Sequence, residues 1–310
     1  MTTKHRTLFI LSVKAGNGKS LKLTRTIEEM YREAGQDVTI LVTQHGTHAY
    51  ESAKAFAAEH GEQGIVFICG GDGSTSEVAN ALANKNTAMG VLPLGTANDF
   101  SRMLYTKKEA ADLTGLLRRT LHPTIRPIDL IHLNDRYSIN ITSFGFDTIV
   151  LEHAYEVMRA LPFVGSAGYA LGIVKSLFSR KKFGIEAVWT DEEGRTHRQV
   201  QKSMMLGALC NGGYYGNGFN PAPMAKTDDG ILHVCLVDAM PFPQFLTMIR
   251  AYKKGTHINH PKIKMGNAVS GTFRPLKPDT SILGNIDGII FNEPEIRFEA
   301  APKALKFAFI

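Results

Sequence analysis

Gly70-Gly71-Asp72-Gly73-Ser74-Thr75-Ser76-Glu77-Val78-Ala79-Asn80-Ala81-Leu82 is the stretch on which the fold turns. An apolar run at 65–69 leads into it, and helix-forming residues follow from about Thr75. A glycine loop between a strand and a helix lets backbone amides approach phosphate oxygens, and the helix start adds a field that favours anions. Asp72 inside such a loop would repel a phosphate directly. Its expected task is to hold Mg²⁺, in part through water, as the metal bridges nucleotide oxygens. The alternative is a tight turn whose glycines serve backbone geometry alone.

Upstream and downstream of this loop, apolar runs at 7–13, 37–42, 65–69 and 88–92 alternate with helical segments at 19–34, 48–60 and 75–82, with Gly35 ending the first helix. That rhythm predicts parallel strands joined by crossover helices, with ligand loops at the carboxyl ends of the strands. From about residue 124 the segments become closely spaced and partly alternating, at 124–133, 137–141, 185–190, 203–209, 231–237 and 281–286. These predict antiparallel strands, interrupted by helices at 151–178 and 242–253. The expected division is an α/β nucleotide-binding domain over 1–130 and a β-rich domain over 131–302, with a terminal strand at 303–310 packing back on the first.

A second element, Pro93-Leu94-Gly95-Thr96-Ala97-Asn98-Asp99-Phe100-Ser101-Arg102, follows the strand at 88–92 and should open at the same sheet edge. Thr96 and Asn98 offer a hydroxyl and an amide to phosphate or ribose, and Asp99 a second carboxylate near Asp72. A helix cap at Asn98-Asp99 is the structural alternative.

The two loops together resemble the catalytic domain of bacterial diacylglycerol kinases and their lipid-kinase and sphingosine-kinase relatives. The glycine-aspartate core by itself also occurs in NAD kinases and phosphofructokinases. The resemblance continues through Arg126-Pro127-Ile128-Asp129-Leu130, Tyr137-Ser138-Ile139-Asn140, Asn211-Gly212-Gly213, Lys226-Thr227-Asp228-Asp229-Gly230-Ile231-Leu232 and Asp287-Gly288. It implies an NAD kinase-like α/β domain, an antiparallel β-sandwich-like domain and a nucleotide cleft between them. It implies ATP-dependent phosphorylation of a lipid hydroxyl, with diacylglycerol the leading acceptor. Asp72, Asp99 and Asp129 would form the carboxylate and water network around Mg²⁺. Gly70, Gly71, Gly73, Ser74, Thr75 and Ser76 would contact ATP, with Gly16, Thr43, Thr96 and Asn98. Asp229, with the backbone carbonyls of Lys226 and Ile231, would hold a structural metal.

Two departures qualify these expectations. The family opens with Asn-Pro before a glycine loop, where this chain reads Ser12-Val13-Lys14-Ala15-Gly16-Asn17-Gly18-Lys19-Ser20. Gly18-Lys19-Ser20 does not make a P-loop either, because the first glycine of that motif would fall at Val13. The family also reads Asp-Gly-Glu where this chain has Asp287-Gly288-Ile289, and isoleucine cannot accept a proton. Asp287 and Glu293 are the candidate replacement bases. An ATP-binding regulator without phosphotransfer is the competing reading.

The chain has 310 residues, 44% hydrophobic content and net charge +6, a diffuse basic excess that suits nucleotides or an acidic membrane surface and not nucleic acid. Cys69, Cys210 and Cys235 form no metal or disulfide pattern, which fits a reducing cytoplasm. Arg180-Lys181-Lys182, beside an apolar segment, is expected to be the solvated basic end of a buried helix pair, with peripheral contact on an acidic membrane surface at the inner face as the alternative. His257 and His260 are expected in an exposed turn, and the glycine-rich Asn211–Gly218 either lines the acceptor site or is a surface turn. A homodimer is compatible with the sequence, which does not select it.

Overall fold

The computed structural model describes residues 5–13, 15–161, 171, 175–176 and 182–310. They form two compact units. The first runs to Leu130 and takes in Thr227–Asp229 and Ala301–Ile310; the second holds Ile131–Lys226 and Gly230–Ala300. Ala301–Ile310, which takes in the terminal strand read over 303–310, belongs to the first unit, and the inclusion of Thr227–Asp229 is not foreshadowed by any composition change.

In the first unit, strands β1 (Arg6–Leu11), β2 (Val38–Val42), β3 (Gly64–Gly70) and β4 (Ala88–Pro93) are joined through helices α1 (Leu23–Glu33), α2 (His48–His60) and α3 (Asp72–Leu82). The strands are parallel in the order β2-β1-β3-β4, and Phe307 pairs in parallel with Met89 beyond β4. Every residue of β3 and β4 is buried, which is why both read as unbroken apolar runs. Helices α4 (Lys107–Ala111) and α5 (Leu113–Arg119) and strand β5 (Thr124–Leu133) follow. Helix α1 starts later than its periodicity suggests, because Ala15–Lys22 forms a 3₁₀ segment. It ends as expected at Gly35, whose φ of +64° lets the Gly35 amide donate to Arg32 and the Gln36 amide to Tyr31.

The second unit is antiparallel. Its strands are β6 (Arg136–Ser138), β7 (Ile141–Gly145), β8 (Phe183–Thr190), β9 (Thr196–Cys210), β10 (Leu232–Asp238), β11 (Ile263–Ala268), β12 (Ser270–Pro275), β13 (Ile282–Ile286), β14 (Ile289–Glu293) and the first part of β15 (Ile296–Phe309). They pair in the order β14-β13-β7-β9-β8-β12-β15, and β10 joins β9 to β11. Phe144, Trp189, Phe273 and Phe298 fill one core, with the last two rings stacked at 5.0 Å. A second core forms where helices α6 (Phe146–Ala160) and α7 (Phe242–Lys254) meet β9 and β10. The helix expected over 151–178 starts earlier, at Phe146, and much of its second half lies outside the described residues, as do Arg180 and Lys181. The strand expected over 137–141 is divided into β6 and β7, because the intervening amides of Ile139 and Asn140 donate to the Asp287 carboxylate. Among the described residues no helix is long and apolar enough to cross a membrane.

Gly90, in the middle of β4, admits both of its neighbours: a Cβ there would lie 2.5 Å from the Phe67 ring and 2.9 Å from the Ala308 carbonyl oxygen. Gly90→Ala is therefore expected to cost about 1–3 kcal/mol of stability through overpacking. A chemical denaturation midpoint equal to that of the parent chain would contradict this packing.

Candidate active site

β3 and β4 end level, with Gly70 opposite Pro93, so their loops leave the sheet side by side. The Gly70 carbonyl accepts the amides of Leu94 and Gly95, each at 3.0 Å. A Cβ on Gly95 would fall on the Gly71 Cα, so only glycine permits this backbone contact. Helix α3 starts at Asp72, three residues before the sequence suggests, with Gly71 as its N-cap and no side chain capping it. The amides of Gly73 and Ser74 thus lie in a first turn that has no helical acceptors. Gly73 is exposed, and a Cβ there would meet nothing within 4 Å. This is a geometry that an anionic oxygen fits.

Asp72 ties the two loops together: its Oδ1 accepts the Phe100 amide at 3.2 Å. Asp99, 5% exposed, accepts from Arg102 Nε at 3.1 Å, and Arg102 Nη2 donates to the Ala97 carbonyl. Asp99 stands at the N-cap of the 3₁₀ turn Phe100–Met103 without capping it through its side chain. Motif residues Asp72 and Asp99 therefore come together, and Arg102 is the partner that the sequence did not assign.

Several other expected contacts have different tasks. Asn98 has φ +51°, accepts the Gly95 amide at 2.8 Å and donates to the Gly95 carbonyl at 2.9 Å. Its amide clasps its own loop, where the sequence suggested a nucleotide contact. Thr75 donates to the Gly71 carbonyl, and Ser76 is buried within α3. Thr96 is exposed at the loop tip. Gly16 lies in the 3₁₀ segment after β1, and Thr43 Oγ1 accepts the Val13 amide at 3.3 Å, holding the ends of β1 and β2 together.

Asp129 is buried; its amide donates to the Thr227 carbonyl at 2.6 Å and its Oδ1 accepts the Lys303 amide at 2.7 Å. Lys303 has φ +56°, so this carboxylate anchors an unusual turn of the C-terminal segment. Among the described residues no group of three His, Cys, Asp or Glu side chains converges as a metal cage. Asp229 belongs to the first unit, and Lys226 and Ile231 to the second.

Both candidate replacement bases already have partners in the second unit. Asp287, in the β13–β14 turn, accepts from Ser138 Oγ at 2.8 Å and from the amides of Ile139, Asn140 and Ile141 at 3.0–3.1 Å. Four donors saturate the carboxylate and draw the chain out of strand pairing between β6 and β7. Glu293 pairs with Ile282 at the far end of β14, about 13 Å along the strand from Ile289, and lies 3.8 Å from Arg136 Nη2. Ile289 itself is 43% exposed.

Within the second unit, Phe146, Val150, Met205, Leu206, Tyr215 and Phe245 are among the side chains around an apolar cavity of about 100 Å³. Tyr215 comes from the glycine-rich 211–218 segment, whose Asn211 Nδ2 donates to the Ile139 carbonyl. Asp147 also lines this cavity. Its Oδ1 accepts the Thr148 amide at 2.8 Å, its Oδ2 is buried with no hydrogen bond of good geometry among the described residues, and burial, offset in part by the Ser143 and Tyr215 hydroxyls, pushes the carboxyl up to about 6. An acid following Gly145-Phe146 in an apolar stretch was the sequence signal for it. His257, expected in an exposed turn, is buried with Nε2 at 3.1 Å from the Pro221 carbonyl.

Residues 6–133 match the family model of the diacylglycerol kinase catalytic domain, and residues 140–309 match that of the YegS C-terminal NAD kinase β-sandwich-like domain. The chain belongs to the family of YegS-like lipid kinases and diacylglycerol kinases. A Pseudomonas aeruginosa protein described as "probable lipid kinase YegS-like" is 30% identical over 98% of this chain and 94% of its own length. The "diacylglycerol kinase" of Bacillus subtilis is 28% identical over 74% of this chain and 73% of its own. The crystal structure of a diacylglycerol kinase from Bacillus anthracis covers 100% of this chain and 98% of its own, with TM-score 0.69 and 20% identity, which establishes the shared fold.

The Asp147 carboxyl titrates higher in the folded chain than its ordinary value of 3.8, so the folded state binds more protons between pH 4 and 6. Stability contributed by the neutral form is full below pH 4 and is lost as pH rises through about 6. Asp147→Asn, which keeps an acceptor for Thr148, is expected to raise stability at pH 8 by about 1–3 kcal/mol and to change little at pH 4. Equal gains at both pH values in thermal melts would contradict the assignment.

Proposed function

We propose that the protein is an ATP-dependent lipid kinase that transfers the γ-phosphoryl group to a lipid hydroxyl at the inner face of the membrane, with diacylglycerol as acceptor and phosphatidic acid as product. The observation that carries this reading is the junction of two glycine loops, in which Asp72 reaches the Phe100 amide beside an uncapped helix start. Family membership supports the lipid class of the acceptor.

The amides of Gly73 and Ser74 suit phosphate oxygens. Asp72 suits Mg²⁺ shared with nucleotide oxygens and water, since the chain offers no three-ligand cage among the described residues. When bound, ATP supplies the phosphoryl group and Mg²⁺ neutralises its charge. The acceptor oxygen bonds to the γ-phosphorus as the bond to the bridging β-phosphate oxygen breaks. The hydroxyl proton passes to water, because Ile289 stands where the resemblance expects a base. Positioning and charge stabilisation account for most of the acceleration in such transfers, so a missing base lowers the rate without abolishing it.

A second reading, an ATP-binding regulator, has its own support in Ile289 and in the saturation of Asp287 by four donors. Transfer of radiolabelled phosphate from ATP to diacylglycerol in Mg²⁺-containing mixed micelles separates the two. The kinase reading expects labelled phosphatidic acid, a loss of about 10²-fold or more in kcat/KM for Asp72→Asn, and a gain of about 10²-fold in turnover for Ile289→Glu. ATP binding without transfer to diacylglycerol, a sphingoid base or phosphatidylglycerol selects the regulator.

The loop junction has a separate test. Gly95→Ala is expected to weaken ATP binding by more than about 10-fold by forcing the loops apart, whereas Gly73→Ala, which meets open space, leaves thermal stability unchanged. Undiminished ATP binding by Gly95→Ala in calorimetry would place the nucleotide elsewhere.

A further inference from the structure

Helix α7 has two faces of different chemistry. Phe245, Met248 and Tyr252 are buried, and with Ile249 they wall the apolar cavity. At about 100° per residue these four side chains fall in one arc of the helix. Phe242, Leu246, Arg250, Lys253 and Lys254 fall in the adjoining arc of about 120° and are all exposed, Phe242 to 40% and Leu246 to 44%. The outer stripe thus begins with two large apolar side chains one turn apart and ends with three cations. The helix contains no acidic residue. Among the described residues none of the three cations has a carboxylate partner; Lys253 Nζ rests 5.4 Å from the centre of the Phe219 ring.

We infer that the outer face of α7 docks on an anionic lipid surface, with Phe242 and Leu246 entering the acyl boundary and Arg250 and Lys254 lying among the head groups. Charge selects this occupant. A second copy of the chain meeting the same face through a two-fold axis would set the basic stripe against itself, and two apolar side chains are far fewer than a stable dimer interface uses. A lipid surface satisfies both halves of the stripe at once, as amphipathic helices at membrane interfaces do. The cavity behind the same helix is continuous with this assignment, because α7 then separates the bilayer from an apolar space. The surface extends the lipid-kinase reading and does not depend on phosphoryl transfer, so its test reads binding alone.

The full chain is sedimented with vesicles of phosphatidylcholine containing phosphatidylglycerol, and with vesicles of phosphatidylcholine only, at low and high salt. Binding is expected on the anionic vesicles and is expected to fall steeply with salt. Phe242→Ser with Leu246→Ser, and separately Arg250→Glu with Lys254→Glu, are each expected to reduce it by about 10-fold or more. Val200→Ser, at a residue 50% exposed on β9, should leave it unchanged. All substituted positions are exposed, and unchanged thermal melts verify the fold. No binding by the parent chain, equal binding to neutral vesicles, or undiminished binding by both double variants overturns the inference. A concentration-dependent dimer that the Phe242/Leu246 variant dissociates would overturn it in favour of contact between copies.

Discussion

Backbone contact between Gly71 and Gly95 is the constraint on which the candidate site depends. Parallel strands β3 and β4 end level, and loops leaving neighbouring strands would normally be held apart by their own side chains. Here neither loop carries a Cβ at the crossing, and one carbonyl, that of Gly70, accepts two amides from the second loop. The close approach brings the Asp72 carboxylate to the Phe100 amide, and with it Asp99 and Arg102 to the start of α3. A site assembled from backbone in this way is sensitive to single methyl groups and tolerant at its open side, which is the contrast between Gly95 and Gly73.

Much of the chain's acidic chemistry organises backbone. Asp129 anchors Lys303, Asp287 collects three consecutive amides and a hydroxyl, and Asp191 at the β8–β9 hairpin accepts two amides together with Arg195 and His197. An ionised carboxylate can accept several donors at once, and charge-assisted bonds of this kind are stronger than neutral ones. The same residue type joins two glycine loops at Asp72. Only the donors around each carboxylate separate the two uses. Asp147 is the exception, a carboxyl buried at an apolar cavity, where desolvation outweighs its hydrogen bonds and raises its pKa.

The first unit was largely legible because strands buried on both faces write themselves as continuous apolar runs and amphipathic helices as a 3.6-residue period; α2 lies where its pattern places it, His48–His60. Strands β11 and β12 were not legible. Each contains a glycine that close packing requires, Gly266 against the Trp189 indole and Gly271 against the Val188 carbonyl oxygen and the Phe298 ring, and glycine depresses strand propensity. The break between β6 and β7 was equally hidden, since its cause, Asp287, lies 146 residues away from Ile141.

By itself the sequence determined the alternation of parallel strands and helices, the two glycine loops and their shared sheet edge, and the absence of a glutamate at Ile289. These are local properties, set by periodicity, glycine content and residue identity. Tertiary structure alone decided which polar groups hold backbone and which stand apart: that Asn98 clasps its own loop, that Asp287 is saturated, that Glu293 stands a strand length from Ile289, and that α7 turns an apolar and basic stripe outward. Those outcomes depend on hydrogen bonds and packing between residues far apart in the chain, and the chemistry of a side chain does not specify its partner until the fold brings one within reach.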